Sequence, residues 1–415
     1  MCLIITHQKL YLKCLIRLLN KMRIVIICRP DIPIPPLAGY GGLQRNIYDF
    51  IQEIDQRSDH HIFLFAPLDS NVSQLKSVTL FGNLAKAIWA DLVTNKDFES
   101  KTETDIVSQA KQASEQERTY MEYILRTLPS LDFDVILIAY DNMYLVDKLG
   151  QYYEKIIWSI RDDISSEKKE FLLAHPKLRA TAMSGYVLQN HPELKNIMTI
   201  TWGINLNKFS FSKDCLSRTS EIPTIPLLQK WQRQGRDYLV MIAGIGAHKG
   251  QATAIKISEA VNIPLIIAGT PQDHLTLKKT TYFKEQINPY ISDDVVYLGN
   301  ADENQKMELF RFAKGSLAPS GFEFSLFHEP FGRAIVESLA CGTPVIGYNY
   351  GSIPYIIKGG YAGFLFNSLG EAISAAKQLG SIARKEVRKW AEDNLSIGRV
   401  ADEYLTCFNK LISKD

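Results

Sequence analysis

Short apolar runs alternate with longer stretches of helical period along most of the chain. In the first half the runs are residues 24–28, 62–66, 135–139, 156–160 and 181–184; in the second half they are 238–243, 264–268, 295–298, 316–319 and 344–347. These runs are apolar without strict alternation, the pattern of strands covered on both faces. Strand followed by helix, repeated through both halves, predicts an α/β fold of two doubly wound parallel sheets with helices outside. Strand signals lapse between about Asn205 and Tyr238, where Ser217, Ser220, Pro223, Pro226 and Gly235 gather, and the domain junction is expected there. Residues 69–128 are polar and mostly helical in tone, an elaboration of the first domain. Ser396 is placed to cap a last helix with Ile397, Val400, Tyr404, Phe408 and Leu411 on one face. The expected division is a leader at 1–21, an N-terminal domain at 22–205, a C-terminal domain at 206–395, and a helix at 396–415 returning to the N-terminal domain.

The first 21 residues differ from the rest. Lys9, Lys13, Arg17 and Lys21 recur every four positions among Leu10, Leu12, Leu15, Ile16 and Leu19. One basic stripe on an otherwise apolar helix suits contact with a membrane surface. An extended leader is the alternative, because Met22-Arg23-Ile24 opens a good strand. No run of about 18 uncharged apolar residues is present to span a bilayer.

Composition narrows the classes. At 415 residues with 46% hydrophobic and 22% charged, the chain is globular and too long for one ordinary domain. Its 47 basic and 45 acidic side chains leave +2, no strong field for nucleic acid. The cysteines at 2, 14, 28, 215, 341 and 407 form no C-x-x-C pair and no cluster with histidine, so neither a zinc site nor a disulfide framework is encoded. A cytoplasmic setting is expected, and no metal or cofactor.

Three loops carry candidate chemistry, each placed after a predicted strand and before a helix, where open parallel sheets bind ligands. The first is Pro35-Pro36-Leu37-Ala38-Gly39-Tyr40-Gly41-Gly42, whose glycines let backbone N–H groups approach an anion at a helix start. It is neither a Walker loop nor a dinucleotide fingerprint. The second is Ala243-Gly244-Ile245-Gly246-Ala247-His248-Lys249-Gly250, where Lys249 supplies a point charge for a phosphate. The third is Glu329-Pro330-Phe331-Gly332-Arg333-Ala334-Ile335-Val336-Glu337. Pro330 fits a first helical position, which would leave the amides of Phe331, Gly332 and Arg333 as donors at the helix end. On one helix Glu329 and Glu337 would stand about 12 Å apart along the axis. That suits hydroxyl groups of two sugars joined by a diphosphate and is too far for a retaining glycosidase pair, which needs about 5 Å. The histidines share no metal-ligand spacing.

These loops, in this order, resemble the retaining glycosyltransferases of family 4, which have the GT-B fold of two Rossmann-like domains facing each other across a cleft. The resemblance covers nearly the whole chain from Met22. Its most specific part, E-P-F-G-R-A-I-V-E-S-L-A-C-G-T-P from Glu329 to Pro344, looks like the family's E-x7-E segment. Thr201-Trp202-Gly203-Ile204-Asn205 resembles its hinge, and Gly351-Ser352-Ile353-Pro354 its glycine loop. The P-P-x-x-G-Y-G-G entrance is similar to that of a bacterial branch acting on pterins and antibiotics.

The resemblance implies a hexosyltransferase that moves a sugar from a nucleotide diphosphate sugar, most commonly UDP-linked, to an acceptor hydroxyl on a small molecule, glycan or lipid-linked compound. Glu337 would bind the ribose hydroxyls and Glu329 the transferred sugar. Amides at Phe331, Gly332 and Arg333 would contact sugar and phosphate. Lys249 beside Gly244 would neutralise the leaving diphosphate, with Gly41 and Gly42 closing from the other domain. Backbone at Leu298, Gly299 and Asn300 would read the base. Four positions depart from the family: no arginine stands near Gly244 or Ile245, Arg161 replaces a histidine, Gln44 a glutamate and Tyr355 a glutamate. Arg161 or Arg333 is expected to supply the missing charge, which makes Arg161 a catalytic candidate with Glu329 and Lys249. The competing readings are a catalytically inactive nucleotide-sugar-binding protein and a nucleotide-sugar epimerase of the same architecture.

Overall fold

The structure, a computed structural model, describes residues 21–36, 41–89, 103–271, 281–324 and 327–413. The basic stripe lies outside these residues except for Lys21, and so do residues 37–40 of the first loop.

The described strands form two all-parallel sheets. The first contains β1 (Arg23–Ile27), β2 (His61–Phe65), β3 (Val78–Phe81), β4 (Val135–Ile138), β5 (Ile156–Ile160), β6 (Arg179–Ala182) and β7 (Ile197–Thr199), in the order β3-β2-β1-β4-β5-β6-β7. The second contains β8 (Leu239–Ile242), β9 (Leu265–Ala268), β10 (Val295–Tyr297), β11 (Gly315–Ala318), β12 (Val345–Tyr348) and β13 (Gly363–Phe366), in the order β10-β9-β8-β11-β12-β13. Both are doubly wound, and the order reverses beside β1 and beside β8, the strands that lead into the first two glycine loops.

Unbroken apolar strands are explained by cover on both faces. Along β1, Ile24 and Ile26 enter one core layer while Val25 and Ile27 enter the other. Along β8, Val240 faces one layer and Leu239 and Met241 the opposite one. All ten predicted strands are present, with ends shifted by a residue or two. The three that the apolar pattern misses, β3, β7 and β13, are edge strands of three or four residues with partly exposed side chains. The stretch from 69 to 128 is therefore not only an elaboration, because β3 extends the sheet itself.

Six helices position the site. Helix α1 (Gly42–Arg57) buries Ile47, Phe50, Ile51 and Ile54 and starts after Gly41, whose φ of +115° admits glycine. Helix α2 is Glu103–Thr127, and α3 is Gln251–Val261. Helix α4 (Glu303–Phe312) opens with a capping box between Asp302 and Gln305. Helix α5 is Arg333–Ala340. The chain crosses back at Ile204 and Ser396, which form a parallel bridge, and α6 (Ile397–Ser413) lies against the first domain. There the Tyr404 ring stands 5.2 Å from Phe50, and its hydroxyl is 3.1 Å from Ser159 Oγ and 2.9 Å from Thr181 Oγ1.

The carboxyl ends of the two sheets face each other. Residues following β5 and β6 meet residues following β11 and β12. Asp163 Oδ1 is 3.0 Å from His328 Nε2, the Tyr186 ring is 5.3 Å from Tyr350, and Tyr355 donates its hydroxyl to Gln189 at 2.7 Å.

Candidate active site

Lys249 ends a short turn after β8, and Glu329 lies in the loop between β11 and α5. Together they form an ion pair, Nζ to Oε2, of 2.7 Å. Both side chains are about 15% exposed or less, and the Lys249 ammonium also sits 4.5 Å from the Phe327 ring centre. Burial pushes the Glu329 carboxyl up. The Lys249 charge and hydrogen bond, helped by Ser320 and His248, outweigh it and hold the group below the usual carboxylate range. Behind it, Gly351 at φ +64° lets the glycine loop approach the backbone closely. A Cβ there would lie 2.8 Å from the His328 Cβ and 3.1 Å from the Glu329 N and O. Ser352 donates its backbone N–H to the Glu329 carbonyl at 3.0 Å.

The third loop differs from the sequence expectation. Pro330 does not begin the helix; Gly332, at φ +76°, turns the chain in the left-handed region and α5 starts at Arg333. Residues 329–332 are not helical, so the acids are not spaced two helical turns apart on one axis. The Gly332 carbonyl accepts from Ile335 and Val336, and Phe331 is buried in the core. The donors at the helix start are thus shifted past Phe331 towards Arg333 and Ala334.

Glu337 is held in its own network. Its Oε1 accepts from Arg333 Nε at 2.8 Å, and its Oε2 is 3.5 Å from Lys306 Nζ of α4. Arg333 also reaches the first domain, where Nη1 donates to Asn46 Oδ1 at 2.5 Å and Nη2 to Asp49 Oδ2 at 3.2 Å. Lys208, in the hinge, donates to the other Asp49 oxygen at 2.7 Å, and Arg45 pairs with Glu303. Burial drives the Glu337 carboxyl up, yet Lys306, Arg333 and Arg45 bring it below the ordinary value. Burial likewise works against the Arg333 charge, and Glu337 and Asp49 reverse it, so its pKa is raised. Arg333, expected as one of two sources of the missing positive charge, is held here by Glu337, Asn46 and Asp49.

Other expected residues fall as follows. Gly42 opens α1 directly opposite Arg333, the Cδ of which would be 3.8 Å from a Cβ built on it. The Gly244 carbonyl accepts from Gln251 Nε2 at 2.9 Å. At the end of β10, the Leu298 N–H and the Gly299 carbonyl are already used, bonding Ile267 and Gly269 at 3.0 and 2.7 Å. The remaining backbone groups of Leu298, Gly299 and Asn300 would have to meet a base. Gln44 donates to Asp31 at 2.7 Å. Arg161, after β5, is turned onto the Trp202 ring, 4.1 Å from its centre.

Asn46, Asp49, Lys208 and Lys306 were not foreseen. The available signal was Asp49 within the apolar run Ile47-Tyr48-Asp49-Phe50-Ile51, one turn from Arg45 and Asn46 on the same helical face. Lys306 gave none, since its helix start reads as solvated.

Residues 227–394 match the family described as "Glycosyl transferases group 1". The chain is similar to the N-acetyl-alpha-D-glucosaminyl L-malate synthase of Bacillus anthracis, at 29% identity over 32% of this chain and 31% of that protein. It is also similar to the D-inositol 3-phosphate glycosyltransferase of Mycolicibacterium smegmatis, at 30% identity over 28% of this chain and 26% of that protein. The match thus spans about a third or less of these relatives' length. Among solved structures, the sucrose-phosphate synthase of Thermosynechococcus elongatus aligns with a TM-score of 0.68 at 15% identity, covering 95% of this chain and all (100%) of that one. AviGT4, a glycosyltransferase involved in avilamycin A biosynthesis, gives 0.63 at 17% identity over 95% and 99%. The Anabaena protein HepE, in complex with UDP and glucose, gives 0.62 at 14% over 94% and 100%. The chain has the two-domain α/β fold of these structures, and the match to the glycosyl transferases group 1 family lies in its second half.

Proposed function

We propose that the protein is a retaining glycosyltransferase, moving a hexose-type sugar from a UDP-linked donor to an acceptor hydroxyl. The observation that carries this reading is the buried Lys249–Glu329 pair, at 2.7 Å, between the carboxyl end of β8 and the start of the E-x7-E segment. It sits inside the matched family region, and solved structures of the same fold hold UDP with glucose, or UDP-glucose.

When the sugar–phosphate bond breaks, negative charge grows on the diphosphate and positive charge on the sugar. Lys249 and the amides at the start of α5 stabilise the first, acting from fixed positions in a site screened from water. Glu329 faces the second. Glu337 binds the ribose hydroxyls, exchanging part of its contact with Arg333 and Lys306 for them. Gly41 and Gly42 close from the opposite domain, and closure excludes water and brings the acceptor hydroxyl to the anomeric carbon. The acceptor attacks from the face the diphosphate leaves, and a donor phosphate oxygen takes its proton. The anomeric configuration is then kept.

The test is transfer from UDP-glucose, or another UDP-sugar the protein accepts, with NMR of the product's anomeric centre. Retention is expected, and an inverted product overturns the mechanism.

A further inference from the structure

Arg161 is buried, 7% exposed, and its charge has no ion-pair partner among the described residues. Its Nη1 reaches only the Met183 sulfur at 3.7 Å, while Nε and Nη2 have no acceptor. Trp202, on whose ring it stacks, is fully buried, and its indole N–H also lacks an acceptor. Three donor nitrogens of one stacked pair are therefore unmet in the interior. Carboxylates along the same sheet edge are held elsewhere. Asp31 faces Arg29 at 3.3 Å and Gln44, Asp141 pairs with Lys168, and Asp163 lies 3.0 Å from His328. A guanidinium removed from water costs several kcal/mol unless an anion compensates it. Burial indeed works against its charge, and nearby Tyr404, Cys28 and Asp162 only partly oppose that.

Its location makes the missing anion a substrate group. Arg161 is the first residue after β5, and Asp163, two residues on, touches His328 beside Glu329. The backbone of Arg161 thus lies at the carboxyl end of the first sheet, two residues from the Asp163–His328 contact between the domains, while its guanidinium packs inward on Trp202 and Met183. Lys249 and the start of α5 already serve the diphosphate in the proposed reading. A planar fork stacked on an aromatic ring matches a carboxylate or phosphate with two parallel hydrogen bonds.

We propose that Arg161, with the Trp202 N–H, binds a carboxylate or phosphate carried by a substrate in addition to the donor diphosphate: a uronate on the transferred sugar, or an acid group on the acceptor. This rests on the transferase reading, but the fork and its ligand chemistry are testable apart from it.

The experiment uses the full chain, wild type, Arg161→Met and Arg161→Lys. Melting is followed with inorganic phosphate or malonate at constant ionic strength, with and without UDP. UDP release is then compared for UDP-glucose and UDP-glucuronate. The expected result is a rise in melting temperature with phosphate or malonate that Arg161→Met loses and Arg161→Lys, which keeps the charge without the fork, weakens. If the anion belongs to the donor, the wild type prefers UDP-glucuronate by roughly 10–100-fold, the worth of hydrogen bonds to a charged group, and the preference collapses in Arg161→Met. If it belongs to the acceptor, the two donors behave alike while malonate or phosphate stabilises the UDP complex further. Equal anion responses in all three proteins overturn the proposal. So does an Arg161→Met protein that slows both donors equally with its anion response intact, which would return Arg161 to the leaving group. Should Arg161→Met not fold, Arg161→Lys alone decides, an undiminished response overturning the proposal. Failure of every UDP-sugar to bind while the anion response depends on Arg161 would defeat the transferase reading and leave the anion site standing.

Discussion

Arg333 joins the two domains: from the first turn of α5 it donates to Asp49 of α1 at 3.2 Å while its Nε holds Glu337 at 2.8 Å. The side chains of Asp49 and Glu337 are 1% and 2% exposed, so this is a buried acid–base–acid bridge across the cleft. Any ligand group that engages Glu337 acts on a residue already tied, through Arg333, to the opposite domain. In the proposed function, where Glu337 binds the donor ribose, donor binding and domain closure are thereby coupled.

Removing one partner of such a bridge leaves the other charge buried, which costs about 3–5 kcal/mol, whereas replacing both with apolar groups is often neutral. Asp49→Leu is expected to lower stability in urea by about 3 kcal/mol, and Arg333→Met, which strands the buried carboxylates of both Asp49 and Glu337, by at least as much. A single variant as stable as wild type would contradict the bridge.

Lys249→Ala should reduce the turnover of donor cleavage by about 100–1000-fold, the usual effect of losing a preorganised charge at a developing anion. UDP affinity should fall much less, and steady-state kinetics with calorimetry separates the two.

Acid should weaken the protein through both glutamates. Each has a folded pKa below its ordinary 4.5, so each contributes stability that is present above that value and lost as pH falls through the folded pKa. Melting temperature measured downward from pH 6 should therefore drop below about 4.5, and Glu329→Gln and Glu337→Gln should each make the drop shallower. An unchanged profile in both variants would contradict the assigned pairs.

Gly351→Ala places a Cβ 2.8 Å from the His328 Cβ at a left-handed φ of +64°. The backbone cost is roughly 1–2 kcal/mol. Because the same contact sets the Glu329 backbone, turnover should fall more than UDP affinity does. Wild-type turnover at reduced stability would show that the loop does not position Glu329.

The fold was legible because central strands of parallel sheets are buried on both faces, as in the run Val135, Ile136, Leu137 and Ile138. Three of the four edge strands, β3, β7 and β13, were not, because they are only three or four residues long and carry partly exposed side chains. At the site, the E-x7-E segment was visible as acids in an apolar helix, but its geometry was misread. Pro330 is a good helix starter in isolation, while the left-handed turn at Gly332 depends on packing against Ile335 and Glu329 that no local rule displays. The Asp49–Arg333 bridge joins residues 284 apart, and sequence spacing carries no signal over that distance.

The central claim, that the cleft around Lys249 and Glu329 cleaves a nucleotide diphosphate sugar, is tested most directly by measuring nucleotide release from a panel of such donors by wild type, Lys249→Ala and Glu329→Gln side by side. The account predicts that wild type cleaves at least one UDP-sugar and that both variants lose most of that activity while remaining folded. Wild type that neither binds nor cleaves any donor, or variants that cleave as fast as wild type, would contradict it.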